Sequence, residues 1–316
     1  MMMRMVWQRI GIGLATLWVV SVIVFIATSI LPGDVAEIIL GQSATPETLA
    51  ALRKELGMDQ PLYIQYFGWL GDMATGDLGI SKAGGAAISD LIGGRLGNTL
   101  MMAGFVAAIS IPISIALGLW AAMHPGTWLD RIVTFGTLAT ISVPEFFIAT
   151  IAVLILAVHF HLLPSTAYMT GDESFGELLK ALAMPIITLV IVVSAQMIRM
   201  TRAGILNVMS SPYIEMAILK GVPRRRIILR HAFYNAIGPI VNVIALNLAY
   251  LVSGVVIVET IFAYPGLAKL MIDGVQTRDL PLVQACAMIF CGTYVVLILL
   301  ADIGSIVSNP RLRNPK

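Results

Sequence analysis

Acidic and basic residues are missing from six long stretches of the chain, 10–31, 98–123, 132–158, 181–198, 237–258 and 283–301, with Glu145 in the third as the one exception. Each stretch holds 18 to 27 residues. A helix rises about 1.5 Å per residue, so about 20 residues cross the roughly 30 Å hydrocarbon layer of a bilayer. The pattern predicts six transmembrane helices and an all-α polytopic membrane protein. Between the windows the polar segments are unequal. They comprise a long one at 32–97, a short turn at 124–131, loops at 159–180 and 259–282, and a 38-residue connection at 199–236.

Composition agrees with this pattern. Of the 316 residues, 58% are hydrophobic and 12% charged, about half the charge of a soluble domain. A soluble enzyme, a secreted module and a nucleic-acid binder are excluded. The first window follows Arg4 and Arg9, and Ala27-Thr28-Ser29 resembles a signal cleavage site. At 22 residues it exceeds the usual 7–15 of a cleavable apolar region, so a retained first span is expected. The net charge of +2 matters less than its distribution. Thirteen of the 20 Lys and Arg residues fall in 1–9, 124–131, 199–236 and 302–316, the segments that share a side with both termini. Only three acids accompany them, against fourteen on the other side. Basic residues mark the cytoplasmic side, so both termini are expected there.

Several local signals stand out. Thr45-Pro46 offers an N-cap and first-turn proline, with Gly57 as the stop of that short helix, and a second helix is expected from Pro61. There Tyr63, Tyr66, Phe67 and Leu70 follow helical spacing with Trp69 beside them, which suits either the headgroup zone or packing on the spans. Gly76–Gly79 and Gly84-Gly85 read as turns. Pro112, Pro144 and Pro185 sit inside windows, and Pro239 is read as starting the fifth. Ala245, Ala249 and Ser253 form a small-residue stripe suited to close helix packing. Cys286 and Cys291, five residues apart on one helix, point in different directions and read as apolar packing residues. Within 199–236, Ser211-Pro212 starts one short helix that Gly221 stops, with Glu215 in its first turns. Val222-Pro223 starts another, carrying Arg224, Arg225, Arg226 and Arg230 and ending near Gly238-Pro239. Together they predict an elbow between the fourth and fifth spans.

The elbow sequence Glu215-Met216-Ala217-Ile218-Leu219-Lys220-Gly221 resembles the Glu-Ala-Ala-x-x-x-Gly loop of permease subunits in binding-protein-dependent ABC importers. Met216 stands where that pattern has alanine, and the broader family's Ile-x-Leu-Pro ending is replaced by Ala236-Ile237-Gly238-Pro239 further on. Other segments are similar to the dipeptide/oligopeptide/nickel subfamily. They include Leu31-Pro32-Gly33-Asp34, the run from Leu52 to Tyr63 and Gly76-Asp77-Leu78-Gly79-Ile80-Ser81. Arg230–Ala236, Val258-Glu259-Thr260-Ile261-Phe262, Pro265-Gly266-Leu267 and Asn309-Pro310-Arg311-Leu312-Arg313 continue the likeness.

The resemblance implies the ABC importer type I permease fold. Its expected parts are a cytoplasmic N-terminus (1–9), a first span (10–31), an external segment with interfacial helices (32–97), a five-helix core (98–308) and a cytoplasmic tail (309–316). It implies a bacterial inner-membrane subunit forming half of a translocation pathway for peptides or similar solutes. The implied partners are a homologous second permease, two cytoplasmic ATPase subunits, an external solute-binding protein and the lipid bilayer. ATP and Mg would be bound by the ATPases. Glu215, Met216, Ala217, Lys220, Gly221, Arg224, Arg225 and Arg226 are the implied ATPase-coupling residues. The arginines also suit anionic lipid headgroups.

The chain has no Gly-x-x-x-x-Gly-Lys-Ser/Thr phosphate loop of its own. No catalytic residue or metal ligand is assigned. His159 and His161 read as interfacial polar caps, and Ser253-Gly254 lacks the setting of a membrane-embedded hydrolase. An ion-gradient carrier is the other alternative, but carriers place several ionisable groups at membrane depth. Glu145 is the single such group here. It suits either a structural tie between two spans or a pathway residue that meets a cationic group of the substrate.

Overall fold

The computed structural model describes residues 2–30, 40, 44–55, 59–169, 173–253 and 255–308, without the side chains of residues 2–4, 52, 55 and 305–308. Gly57 and the motif residues at 31–34 and 309–313 therefore lie outside the described residues. Helices supply almost all of the described backbone. They begin with α1 (Met2–Ile30), α2 (Pro46–Glu55) and α3 (Leu62–Thr75). Then come α4 (Ile88–Met123), α5 (Trp128–Ser142), α6 (Glu145–Ala152) and α7 (Phe175–Met209). The chain continues through α8 (Pro212–Leu219), α9 (Arg224–Ile227) and α10 (Phe233–Ser253) to α11 (Val256–Ile261), α12 (Leu267–Gln276) and α13 (Leu280–Ser308).

Five helical stretches are long and apolar enough to cross a membrane: Met5–Ile30, Ile88–Met123, Phe175–Met209, Arg224–Ile261 and Leu280–Gly304. The third window departs from the single span that was expected. It forms two helices, α5 and α6 (extended by a π-helical turn, Val153–His159), bent by 103° at Val143-Pro144. Val143 is extended, with φ −101° and ψ 130°. The proline ring crowds the residue before it out of the helical region and supplies no amide hydrogen. Glu145 thus opens a new helix and does not interrupt an old one.

The polar connection 199–236 also departs from expectation. α7 runs on to Met209, and α9 joins α10 through a π-helical segment, Ile228–Ala232. Pro239 therefore lies inside the fifth span and does not start it. The elbow consists of one short helix, α8, and the turn between it and α9.

Packing follows the apolar windows. α4 lies along α7, α10 along α13 and α7, and α1 along α13. The central core joins Met102, Val106, Leu182, Leu189, Val193 and Val252 from α4, α7 and α10. Cys286 is buried beside Phe290 and Leu270 in a second cluster, and both cysteines are free thiols. Ala245 and Ala249 are buried within the bundle, as the small-residue stripe required.

Outside the spans, polar staples fix the connections. Thr45 and Thr48 cap α2, with the Thr48 amide donating to Thr45 Oγ1 at 3.3 Å. Asp77 Oδ1 accepts from the Gly79 amide at 2.9 Å in the expected turn. On α3, Tyr66 and Trp69 pack on Phe25 of α1, and the Tyr66 hydroxyl pairs with Ser21 at 2.8 Å; Tyr63 and Phe67 remain exposed. The packing reading therefore holds for Tyr66 and Trp69. Ser81 donates to the buried Asp279 at 2.5 Å and ties the segment before α4 to the start of α13. At the opposite end of the bundle, Arg9 pairs with Asp302 at 2.9 Å, which joins the first and last spans.

Candidate functional site: the elbow and the broken span

The elbow is built from a sharply defined helix stop. α8 ends at Leu219 with Lys220 as its C-cap, and Gly221 follows with φ +74°. The Gly221 amide donates to Ile218 O at 2.9 Å and the Val222 amide to Ala217 O at 3.1 Å. These two bonds make a Schellman motif, which satisfies the last carbonyls and turns the chain. Pro223 then occupies the N-cap position of α9. At the other end of α8, Ser211 holds the N-cap position before Pro212, but its hydroxyl donates to Val208 O at 2.6 Å and does not cap the new helix. The expected cap is thus a staple back to α7.

Burial divides α8 in two. Ile214 is fully buried, as are Ile227 and Ile228 beyond the turn, so the elbow is anchored on the bundle. The opposite face is open: Met216 is 55% exposed, Ile218 54% and Leu219 80%. Glu215, Lys220, Gly221, Arg224, Arg225 and Arg226 are also exposed, and Ala217 is half-buried. An apolar helix face ringed by charges is the usual character of a protein-binding surface. The structure thus brings the eight elbow residues together on one protrusion. Beneath it, Arg202 of α7 grips Asp130 with two bonds, Nε to Oδ1 at 2.6 Å and a second at 2.8 Å. Asp130 also accepts from the Gly126 amide at 2.9 Å. This pair, with Asp130 buried and Arg202 half-buried, clamps the start of α5 to α7 two turns before the elbow.

Glu145 lies elsewhere, in the bundle. It is half-buried, and the Tyr250 hydroxyl of α10 donates to its Oε2. His159 and His161 are exposed beyond the end of α6, and His159 stacks edge-on against Phe160.

A buried carboxylate in α11 was given no role by sequence reasoning. Glu259 is fully buried and accepts from Thr99 Oγ1 at 2.9 Å and from the Lys269 amide at 2.9 Å; the Ala268 amide also bonds it. Thr99 in turn accepts from the Leu267 amide at 2.8 Å. The carboxylate and hydroxyl thereby satisfy the free amides that open α12, where the helix dipole favours negative charge. Gly266 is essential to this arrangement, because a Cβ there would lie on the Glu259 carboxylate. The Tyr264 hydroxyl donates to Asn98 O at 2.6 Å, and burial raises its pKa above the ordinary phenol value, which keeps it a donor. The signal was the Val258–Phe262 and Pro265–Leu267 motif, whose residues meet α4 only in the fold.

The family model described as binding-protein-dependent transport system inner membrane component matches residues 114–314, and its N-terminal companion matches residues 2–101. The chain belongs to this permease family. Among its relatives, a protein named as a probable peptide ABC transporter permease from Sinorhizobium fredii is 31% identical over 97% of this chain and 98% of its own length. A Brucella melitensis protein, provisionally named as a peptide transport system permease, is 35% identical over 99% of both chains. A glutathione transport system permease protein of Escherichia coli is 32% identical over 99% of both. The permease is thus a multi-pass membrane subunit of an ABC importer that works with an ATPase and a solute-binding protein. Nothing among the described residues favours the carrier or hydrolase alternatives.

Proposed function

We propose that this permease forms half of the pathway of a peptide importer in a bacterial inner membrane, paired with a homologous second permease. The observation that carries the reading is the α8 protrusion, a short helix with an uncovered apolar face on a rigid, charged elbow. Two ATPase subunits bind at that end, which faces the cytoplasm together with both termini. The external binding protein meets the opposite end. Closure of the ATPases on ATP moves α8, and because α8 is stapled to α7 at Ser211 and turns directly into the fifth span, the motion reaches the bundle. The inward- and outward-open forms alternate in this way. ATP and Mg stay with the ATPases, and the permease itself catalyses no covalent chemistry.

The peptide class is supported by the names of the relatives and by the motifs shared with the peptide subfamily. Small peptides, including glutathione, are therefore the substrates to test. Proteoliposomes holding the complete importer should take up a radiolabelled tripeptide only with ATP and binding protein present. Uptake should fall when excess unlabelled tripeptide is added. Uptake of a sugar but of no peptide would overturn the substrate class while leaving the coupling scheme intact.

A further inference from the structure

The break in the third span opens a cavity of about 300 Å³ in the bundle wall. Its polar lining comes from four helices: Thr140 of α5 and Glu145 of α6 flank the break, Gln196 stands on α7, and Asn247 and Tyr250 stand on α10. Asn247 and Tyr250 are three residues apart and so share a helix face. Val143, Ile141, Val192 and Val193 complete the wall. A space of this size holds the end of a small solute.

Several acceptor oxygens in the cavity are available to a ligand. Tyr250 engages Oε2 of Glu145 and leaves Oε1 open. Asn247 commits its amide nitrogen to Val243 O at 2.7 Å, so its Oδ1 remains as an acceptor. Gln196 is half-buried and adds a second amide oxygen. The lining contains one carboxyl group and no Lys, Arg or His. A carboxylate tie between two spans needs Tyr250 alone. One carboxyl group without a basic residue beside it favours a cationic ligand, and the amide oxygens of Asn247 and Gln196 can accept from its donors. A primary ammonium is such a group, with three donors and no acceptor.

We infer that this cavity is a transit subsite for the ammonium group of the transported solute. Glu145 supplies the counter-charge, Asn247 and Gln196 supply acceptors, and Tyr250 holds the carboxylate in position. The inference rests on the peptide reading above, since a free peptide carries an ammonium at its N-terminus. Holding a lone charge at membrane depth is costly. Pairing with a passing cation offsets part of that cost, and the pairing is transient because the solute moves on.

Occupancy can be read directly, without transport. The purified complete importer is treated with dicyclohexylcarbodiimide, which modifies membrane-embedded carboxyl groups, and the modification of Glu145 is followed by mass spectrometry. A tripeptide with a free N-terminus, at about ten times its dissociation constant, should slow modification roughly tenfold. The same tripeptide acetylated at its N-terminus should leave the rate unchanged. Equal protection by both peptides, or by neither, overturns the ammonium subsite. Failure of tripeptide uptake in proteoliposomes overturns the peptide reading instead, and the subsite falls with it.

Discussion

Gly221→Val lowers ATP-driven uptake at least about tenfold while leaving the amount of protein in the membrane unchanged. Gly221 has φ +74°, and a Cβ built there meets nothing within 4 Å. The substitution therefore acts through the backbone alone. An L-residue in this left-handed region costs about 1–2 kcal/mol, and a β-branched one more. A cost of 1.4 kcal/mol already shifts an equilibrium tenfold. That is enough to depopulate the turn between α8 and α9, but too little to unfold the packed bundle. Asparagine enters the left-handed region more easily, so Gly221→Asn should retain most uptake, with Gly221→Ala in between. Uptake rates normalised to membrane abundance decide the matter. Wild-type uptake by Gly221→Val would remove the elbow from the coupling route.

The second large effect falls on stability. Gly266→Ala forces a methyl group into the Glu259 carboxylate, which must leave Thr99 and the α12 amides. Glu259→Ala removes the same acceptor without adding bulk. Each buried donor left unpaired costs about 1–3 kcal/mol, so both variants should lose roughly 3 kcal/mol or more. The readout is a lower thermal unfolding midpoint in detergent and reduced abundance in the membrane. Gly93→Ala is the control: it adds the same methyl group on the exposed face of α4, where a Cβ meets nothing. An unchanged midpoint in Gly266→Ala would mean that the network does not hold α12 in place.

The features legible in the sequence and those hidden from it differ by physical cause. Charge-free windows reveal spans because a bilayer penalises every unpaired charge, and that penalty acts residue by residue along the chain. The same windows cannot separate a straight span from a broken one, since both are equally apolar. Val143-Pro144 carried the break, but Pro112 and Pro185 sit inside unbroken helices. A proline alone therefore does not decide between a tolerated defect and a 103° bend. Pro239 misled in the opposite sense, marking a start where the helix was already running from α9. The helix stop at Gly221 was readable because positive φ is a local demand that one residue type meets. Glu259 was not readable as a keystone because its partner Thr99 lies 160 residues away. The Tyr250 bond to Glu145 was hidden for the same reason.

Cross-linking from α8 tests the central claim most directly, that this face receives the motion of an ATPase. In a permease lacking Cys286 and Cys291, Met216→Cys places a thiol on the exposed apolar face of α8. A short thiol-reactive cross-linker applied to membranes holding the complete importer should join that cysteine to the ATPase subunit, with a yield that changes when ATP is added. Ser165→Cys, exposed in the loop at the other end of the bundle, should give no such product. Absence of the Met216→Cys product, or labelling of that cysteine by an impermeant thiol reagent in intact cells, would contradict both the coupling role of α8 and its cytoplasmic position.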